Sequence, residues 1–146
     1  MLLLDANVLI YAFRRDLVQH AKAKRWVEKK LAEREPLGLH EFTELAFLRI
    51  TTNPRAFAQP SSLEESLSFL NAIRACPLVT EVRTAPGHRE TFIRLCRDLR
   101  LAGNDITDAF IAAVAIEAEA TLASADSGFA RFHDLQWIDP LNEQAA

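Results

Sequence analysis

The chain has 146 residues and a net charge of −3, with 49% hydrophobic and 25% charged residues. That length suits one domain, residues 1–146, and the apolar content suffices for a core, which excludes a disordered chain. The longest apolar run, Ala109 to Ile116, falls far short of the ~20 residues of a spanning helix. The start, Met1-Leu2-Leu3-Leu4-Asp5, has no basic segment and no small-residue cleavage site; a cytoplasmic protein without a membrane partner is expected.

Leu2-Leu3-Leu4 reads as a short buried strand leading into Asp5, and Val8 to Phe13 as a helix. His20 to Arg34 is an amphipathic helix, with Ala23, Trp26, Val27 and Leu31 on one face and cations on the other. Pro36 to Leu39 is a second strand, followed by a helix from His40 to Thr52 that Asn53-Pro54 stops. Ser61 and Ser62 ahead of Glu64 and Glu65 predict a capped helix to about Ala75. Leu78 to Val82 is a third strand. Thr84-Ala85-Pro86 opens a helix to about Leu101, which Gly103 ends. A helix from Ile106 to Ala120, a strand Thr121 to Ser124 and a short strand Gln136 to Ile138 complete the chain. Strands alternating with helices predict an α/β fold around a mostly parallel sheet with helices on both faces.

Four acids stand out. Asp5 and Asp126 each follow a strand's carboxyl end, where open parallel sheets bind ligands. Asp108 shares a helix face with Ile111, Ala112 and Ala115, and Glu44 is flanked by Phe47 and Leu48. An acid on an apolar face is disfavoured by desolvation unless it is paired, protonated or holds a metal. Each also has a plainer reading. Asp5 suits a helix N-cap, Asp126-Ser127-Gly128 a turn, Asp108 a first helical turn, and Glu44 a solvated surface. If the four converge they need a cation, because two unit charges ~4 Å apart repel by roughly 4 kcal/mol at an effective dielectric of about 20. Carboxylates without clustered His or Cys favour Mg²⁺ or Mn²⁺ over zinc. An ion so held activates water and steadies the leaving oxygen of a phosphodiester.

The remaining chemistry is sparse. His20, His40, His88 and His133 are scattered and read as surface or packing residues, and Trp26 and Trp137 as core. Cys76 and Cys96 lack metal spacing and read as structural thiols. No phosphate-cradling glycine loop and no nucleophile elbow are present. Of the 17 cations 13 are Arg, and the four Lys all fall between Lys22 and Lys30. This bias toward Arg permits a phosphate-rich partner without requiring one.

Four blocks in order resemble the PIN-domain ribonucleases, specifically the VapC-type toxins of bacterial toxin–antitoxin pairs. They are Leu3-Leu4-Asp5-Ala6-Asn7-Val8-Leu9-Ile10, the stretch from Thr43-Glu44 to Asn53-Pro54, the stretch from Thr107-Asp108 to Ala115, and Leu122-Ala123-Ser124-Ala125-Asp126-Ser127-Gly128-Phe129. In the last block the family usually has Thr-x-Asp, and Ser124 keeps the hydroxyl. The resemblance implies strand order 3-2-1-4-5 and metal-dependent RNA cleavage with Mg²⁺ or Mn²⁺. It also implies a homodimer and inhibition by a cognate antitoxin. By position Asp5, Glu44, Asp108 and Asp126 are its catalytic and metal-binding acids, with Asn7 and Ser124 orienting them. Asp105 and Glu41, each one helical step from a chosen acid, are possible substitutes.

Two other classes compete. A phosphate-accepting receiver-like module needs an acid pair at the first strand and a late Lys, and neither is present. An Asp-nucleophile phosphatase needs a second Asp where Asn7 stands. A PIN fold reduced to RNA binding is disfavoured by the intact acids.

Overall fold

A computed structural model describes residues 1–143. In chain order the elements are β1 (Leu2–Leu4), α1 (Ala6–Phe13), α2 (His20–Ala32), β2 (Leu37–Leu39), α3 (Glu41–Thr51), α4 (Leu63–Arg74), β3 (Val79–Glu81), α5 (His88–Asp98), α6 (Asp105–Glu117), β4 (Thr121–Ala123), a 3-10 helix (Ser127–Arg131) and β5 (Trp137–Ile138). The five strands form one parallel sheet in the order β3-β2-β1-β4-β5. This is the architecture and strand order expected.

The all-leucine β1 is central and buried on both sides, and its alternation divides the core. Leu2 and Leu4 join α1 residues, Trp26, Phe47 and Leu70 on one face. Leu3 joins the small, apolar face of α6, with Leu95, Phe129 and Phe132, on the other. Gly38 in β2 allows the layers to close, since a Cβ there would lie 2.7 Å from Val82 Cγ2. The register Leu4↔Ala123 sets the residues after β1 and β4 side by side.

The helix ends differ from expectation in an instructive way. α5 starts at His88, after the Pro86-Gly87 turn, and stops at Asp98 ahead of Gly103. The terminating left-handed residue is Arg100, φ 51°. Arg34 and Glu119 end α2 and α6 in the same way, at φ 59° and 51°. In each case the next residue's amide donates back into the last turn: Glu35 to Lys30, Leu101 to Cys96, and Ala120 to Ala115. This is the Schellman arrangement, built without glycine.

The histidines are packing residues at two of four positions. His40 is buried and caps α3, its Nδ1 accepting from the Phe42 amide at 3.0 Å. Burial pushes its pKa below the ordinary imidazole value, which keeps that nitrogen free to accept. His88 is buried and contacts the Phe110 carbonyl. Both thiols are free.

Candidate active site

The carboxyl edge of β1 and β4 is knitted by hydrogen bonds between residues far apart in sequence. The Asp5 amide donates to the Ala123 carbonyl at 3.0 Å, extending the ladder one step past the strands. Asp5 is then the N-cap of α1, with Oδ1 accepting from the Ala6 amide at 2.7 Å. Its other oxygen faces the site. Oδ2 accepts from Ser124 Oγ at 2.7 Å and from Asn7 Nδ2 at 3.1 Å. The capping reading and the site reading of Asp5 are therefore compatible, because each uses a different oxygen.

Ser124 and Asn7 are themselves fixed. Ser124 is fully buried, and its Oγ also accepts from Asn7 Nδ2 at 2.9 Å and from the Asp126 amide at 3.2 Å. Asn7 Oδ1 accepts from the Ala125 amide at 3.0 Å. Trp137 Nε1 donates to the Ser124 carbonyl at 2.9 Å, so β5 braces the same turn. Asp126 caps the 3-10 helix, accepting from the Gly128 amide at 2.8 Å. The segment is thus a turn, as one reading held, but a turn that continues into a helix carrying Arg131.

Arg131 has no forerunner in the sequence reading. Its Nη2 lies 2.8 Å from Asp108 Oδ2 and its Nη1 lies 3.5 Å from Asp105 Oδ1. Asp108 is half-buried, with Ile111, Ala112 and Ala115 beneath it in the core. Its pKa is pushed up to about 6, by burial first and then by the charge of Asp126, with Asp5 and Asp105 adding and Arg131 opposing. Burial also raises the Asp5 carboxyl, against the Ser124 and Ala6 hydrogen bonds and with Asp126 adding. Asp5, Asp108 and Asp126 thus act on one another electrostatically.

Glu44 and Asp105 behave differently. The Glu44 carboxylate is engaged by Arg74 of α4 at 2.8 Å, and Arg74 also reaches Glu81 at 3.5 Å. Its neighbour Thr43 donates to the Leu4 carbonyl at 3.1 Å, which holds α3 against the end of β1. Glu41 starts α3 and is exposed. Asp105 starts α6, and the residue in the cap position, Asn104, makes no side-chain cap bond. Asp105 is therefore a first-turn acid paired to Arg131 and not a cap.

The donor set is all oxygen and suits a hard divalent ion. Charge suits it too, since burial raises the carboxyls of Asp5 and Asp108 and the neighbouring acids add to it, and a bound cation would favour the ionised forms of both. No group of three or more His, Cys, Asp or Glu among the described residues is gathered tightly enough to hold an ion as it stands. Arg131 supplies the positive charge at Asp108 in this arrangement.

Residues 2–135 match the PIN domain model. The chain is 42% identical over 144 residues to the VapC ribonuclease Mb2897 of Mycobacterium bovis, covering 99% of this chain and 98% of that one. It is 35% identical to ribonuclease VapC31 of Mycobacterium tuberculosis over 140 residues, 96% of this chain and 99% of that one. Among solved structures, VapBC2 from Rickettsia felis, bound to a promoter DNA fragment, matches with a TM-score of 0.69 at 20% identity, over 94% of this chain and 96% of that one. VapC20 of Mycobacterium tuberculosis, described as a Sarcin-Ricin loop cleaving toxin, matches with a TM-score of 0.61 at 17% identity, over 93% and 99%. With its sheet order, its acids at the strand ends and this similarity along nearly its whole length, the chain belongs to the PIN-domain family, among the VapC ribonucleases.

Proposed function

We propose that the chain is a divalent-metal-dependent endoribonuclease, the toxin of a toxin–antitoxin pair, and that Asp5, Asp108 and Asp126, with Glu44, form its site. The carrying observation is the Asp5 carboxylate. It is aimed by Ser124 and Asn7 through neutral hydrogen bonds, and no cationic side chain among the described residues pairs with it. Such an arrangement fixes direction while preserving negative charge, as a metal ligand requires.

The roles divide along the chain. Asp5, Asp108 and Asp126 would hold Mg²⁺ or Mn²⁺, with Glu44 joining them on release from Arg74. When bound, the ion supplies Lewis-acid polarisation of the phosphate and the attacking water. Ser124 and Asn7 keep the Asp5 oxygens from rotating. Arg131 balances Asp108 and Asp105, restraining the repulsion among the acids. An RNA substrate, a homodimer, a cytoplasmic location and an antitoxin partner all belong to this reading. VapBC complexes among the structural neighbours support the antitoxin. No described helix is long and apolar enough to cross a membrane.

The test is RNA cleavage with Mg²⁺, with Mn²⁺ and in chelator, for the wild type and Asp5→Asn. Cleavage should need the ion. Asp5→Asn should lower it by at least two orders of magnitude, the scale of a lost electrostatic group, ~10²–10³. Because Asn retains an oxygen for the Ala6 amide, carries no buried charge and presents an amide group from which the Ser124 hydroxyl can turn to accept, the metal-free melting temperature should hold or rise. Undiminished cleavage in chelator overturns the proposal.

A further inference from the structure

The basic charge of this acidic protein is concentrated in one helix. α2 carries Lys22, Lys24, Arg25, Lys29 and Lys30 against a single acid, Glu28. The rest of the chain holds 12 cations against 19 acids. Lys22, Arg25 and Lys29 recur at helical spacing, forming a row about 10 Å long at 1.5 Å rise per residue. All three are exposed.

The row lines a groove of about 250 Å³ whose opposite wall is Pro140, Leu141 and Glu143. That wall is latched to α2. Glu143 accepts from Lys30 Nζ at 2.8 Å and from Trp26 Nε1. Asp139 shapes the turn, accepting from the Leu141 amide at 2.9 Å and from the Asn142 side chain. The wall also leads back to the acids. It leaves β5 directly after Ile138, whose carbonyl accepts from the Ser124 amide at 3.1 Å. Ser124 is the residue that aims Asp5. The wall thus leaves the sheet at the edge that carries the acids, and the row follows α2 from there toward the start of β2.

An ordinary solvated helix face does not account for the row. Lys24 faces Glu28 and Lys30 faces Glu143, but Lys22 and Arg25 meet no carboxylate within 4.0 Å among the described residues. Lys29 has only an exposed contact to Glu33 at 3.7 Å, of a kind worth little. A protein partner is also a poor fit, since such interfaces rest on apolar anchors in pockets. Trp26, the aromatic residue of the groove, is only 5% exposed and its indole N–H is already engaged. What remains is a row of cations suited to repeated phosphates.

We infer that Lys22, Arg25 and Lys29, with the Pro140–Glu143 wall, form a track for the RNA phosphate backbone outside the scissile phosphate. This rests on the ribonuclease reading and adds where the substrate lies.

The test is the salt dependence of binding to a labelled oligouridylate in chelator, so that nothing is cut. Replacing Lys22, Arg25 and Lys29 together by Ala should reduce the slope of log affinity against log salt by about 2, at about 0.7 per phosphate contact on a single strand. The Lys22→Arg/Lys29→Arg variant should keep the wild-type slope. Arg89→Ala/Arg97→Ala removes two exposed cations from α5 and should leave the slope unchanged. An unchanged slope in the triple variant overturns the inference. So does an equal loss per residue in the α5 variant, or a wild type without salt-dependent affinity. Preference for polyglutamate over oligouridylate, lost in the triple variant, reassigns the face to an acidic protein segment and also overturns it. The ribonuclease reading fails separately, by a wild type that binds RNA and never cleaves it with Mg²⁺ or Mn²⁺.

Discussion

Asp5 and Asp108 lie at the same edge of the sheet, and both have carboxyls raised by burial, yet their surroundings treat them in opposite ways. Asp5 is held by a hydroxyl, a carboxamide and a backbone amide, none of which carries charge. Asp108 is held by a guanidinium. Neutral donors fix a carboxylate's direction and leave its charge to be met by something else. A guanidinium meets the charge outright and has to be displaced before another cation takes its place. The Asp5 side of the site is thus preset and the Asp108 side exchangeable.

The sharpest way to break this contrast is on the preset side. Ser124→Ala removes the hydroxyl that joins Asp5, Asn7 and the Asp126 amide. Cleavage should fall about 10–100-fold, as for other groups that orient metal ligands. Stability in urea unfolding should fall by about 1–2 kcal/mol, the cost of unmet buried polar groups. Full activity in this variant would mean that Asp5 needs no such support.

The exchangeable side should appear in the pH dependence of metal-free stability. The folded state keeps a proton on Asp108 up to about 6, whereas the unfolded chain releases it near 3.8. Between those values the folded state binds more protons, so stability falls as pH rises and levels off above about 6. Asp108→Asn should remove this part of the slope and be relatively more stable than the wild type above that range. Asp5, raised in the same direction, should leave a residual slope of the same sign. Melting curves of both proteins across the acid range check the sign.

The smallest effect belongs to Asp105→Ala. Asp105 makes no cap bond, is half exposed and reaches Arg131 only at 3.5 Å. Stability should change by less than about 1 kcal/mol, as for other exposed pairs. Cleavage should stay within a few-fold. A large loss of cleavage would move the site one helical turn.

The sheet was readable because most strands are short, largely apolar runs bounded by helices of clear periodicity, with Val79-Thr80-Glu81 the polar exception at the sheet's edge. The placement of the acids was readable because Asp5 directly follows β1, Asp126 lies three residues past β4 and Asp108 interrupts an apolar helix face. Partners across space were not readable. Arg74 lies thirty residues from Glu44, and Arg131 is one of 13 arginines with no local mark. The left-handed ends of α2, α5 and α6 were also hidden, because Arg34, Arg100 and Glu119 occupy positions where a sequence reading looks for glycine. The split of Asp5 into a capping oxygen and a site oxygen emerges only from geometry.

The bond between Asp5 and Ser124 spans 119 positions of a 146-residue chain. A contact of such long range is costly in loop entropy. During synthesis the consequence is one of timing. A growing chain that has made Asp5, Glu44 and Asp108 still lacks the hydroxyl that aims the first acid and the turn that supplies the last. A product that stops short of Ser124 therefore lacks the hydroxyl that fixes the Asp5 carboxylate, and any activity that depends on that bond has to wait for β4 and the turn after it.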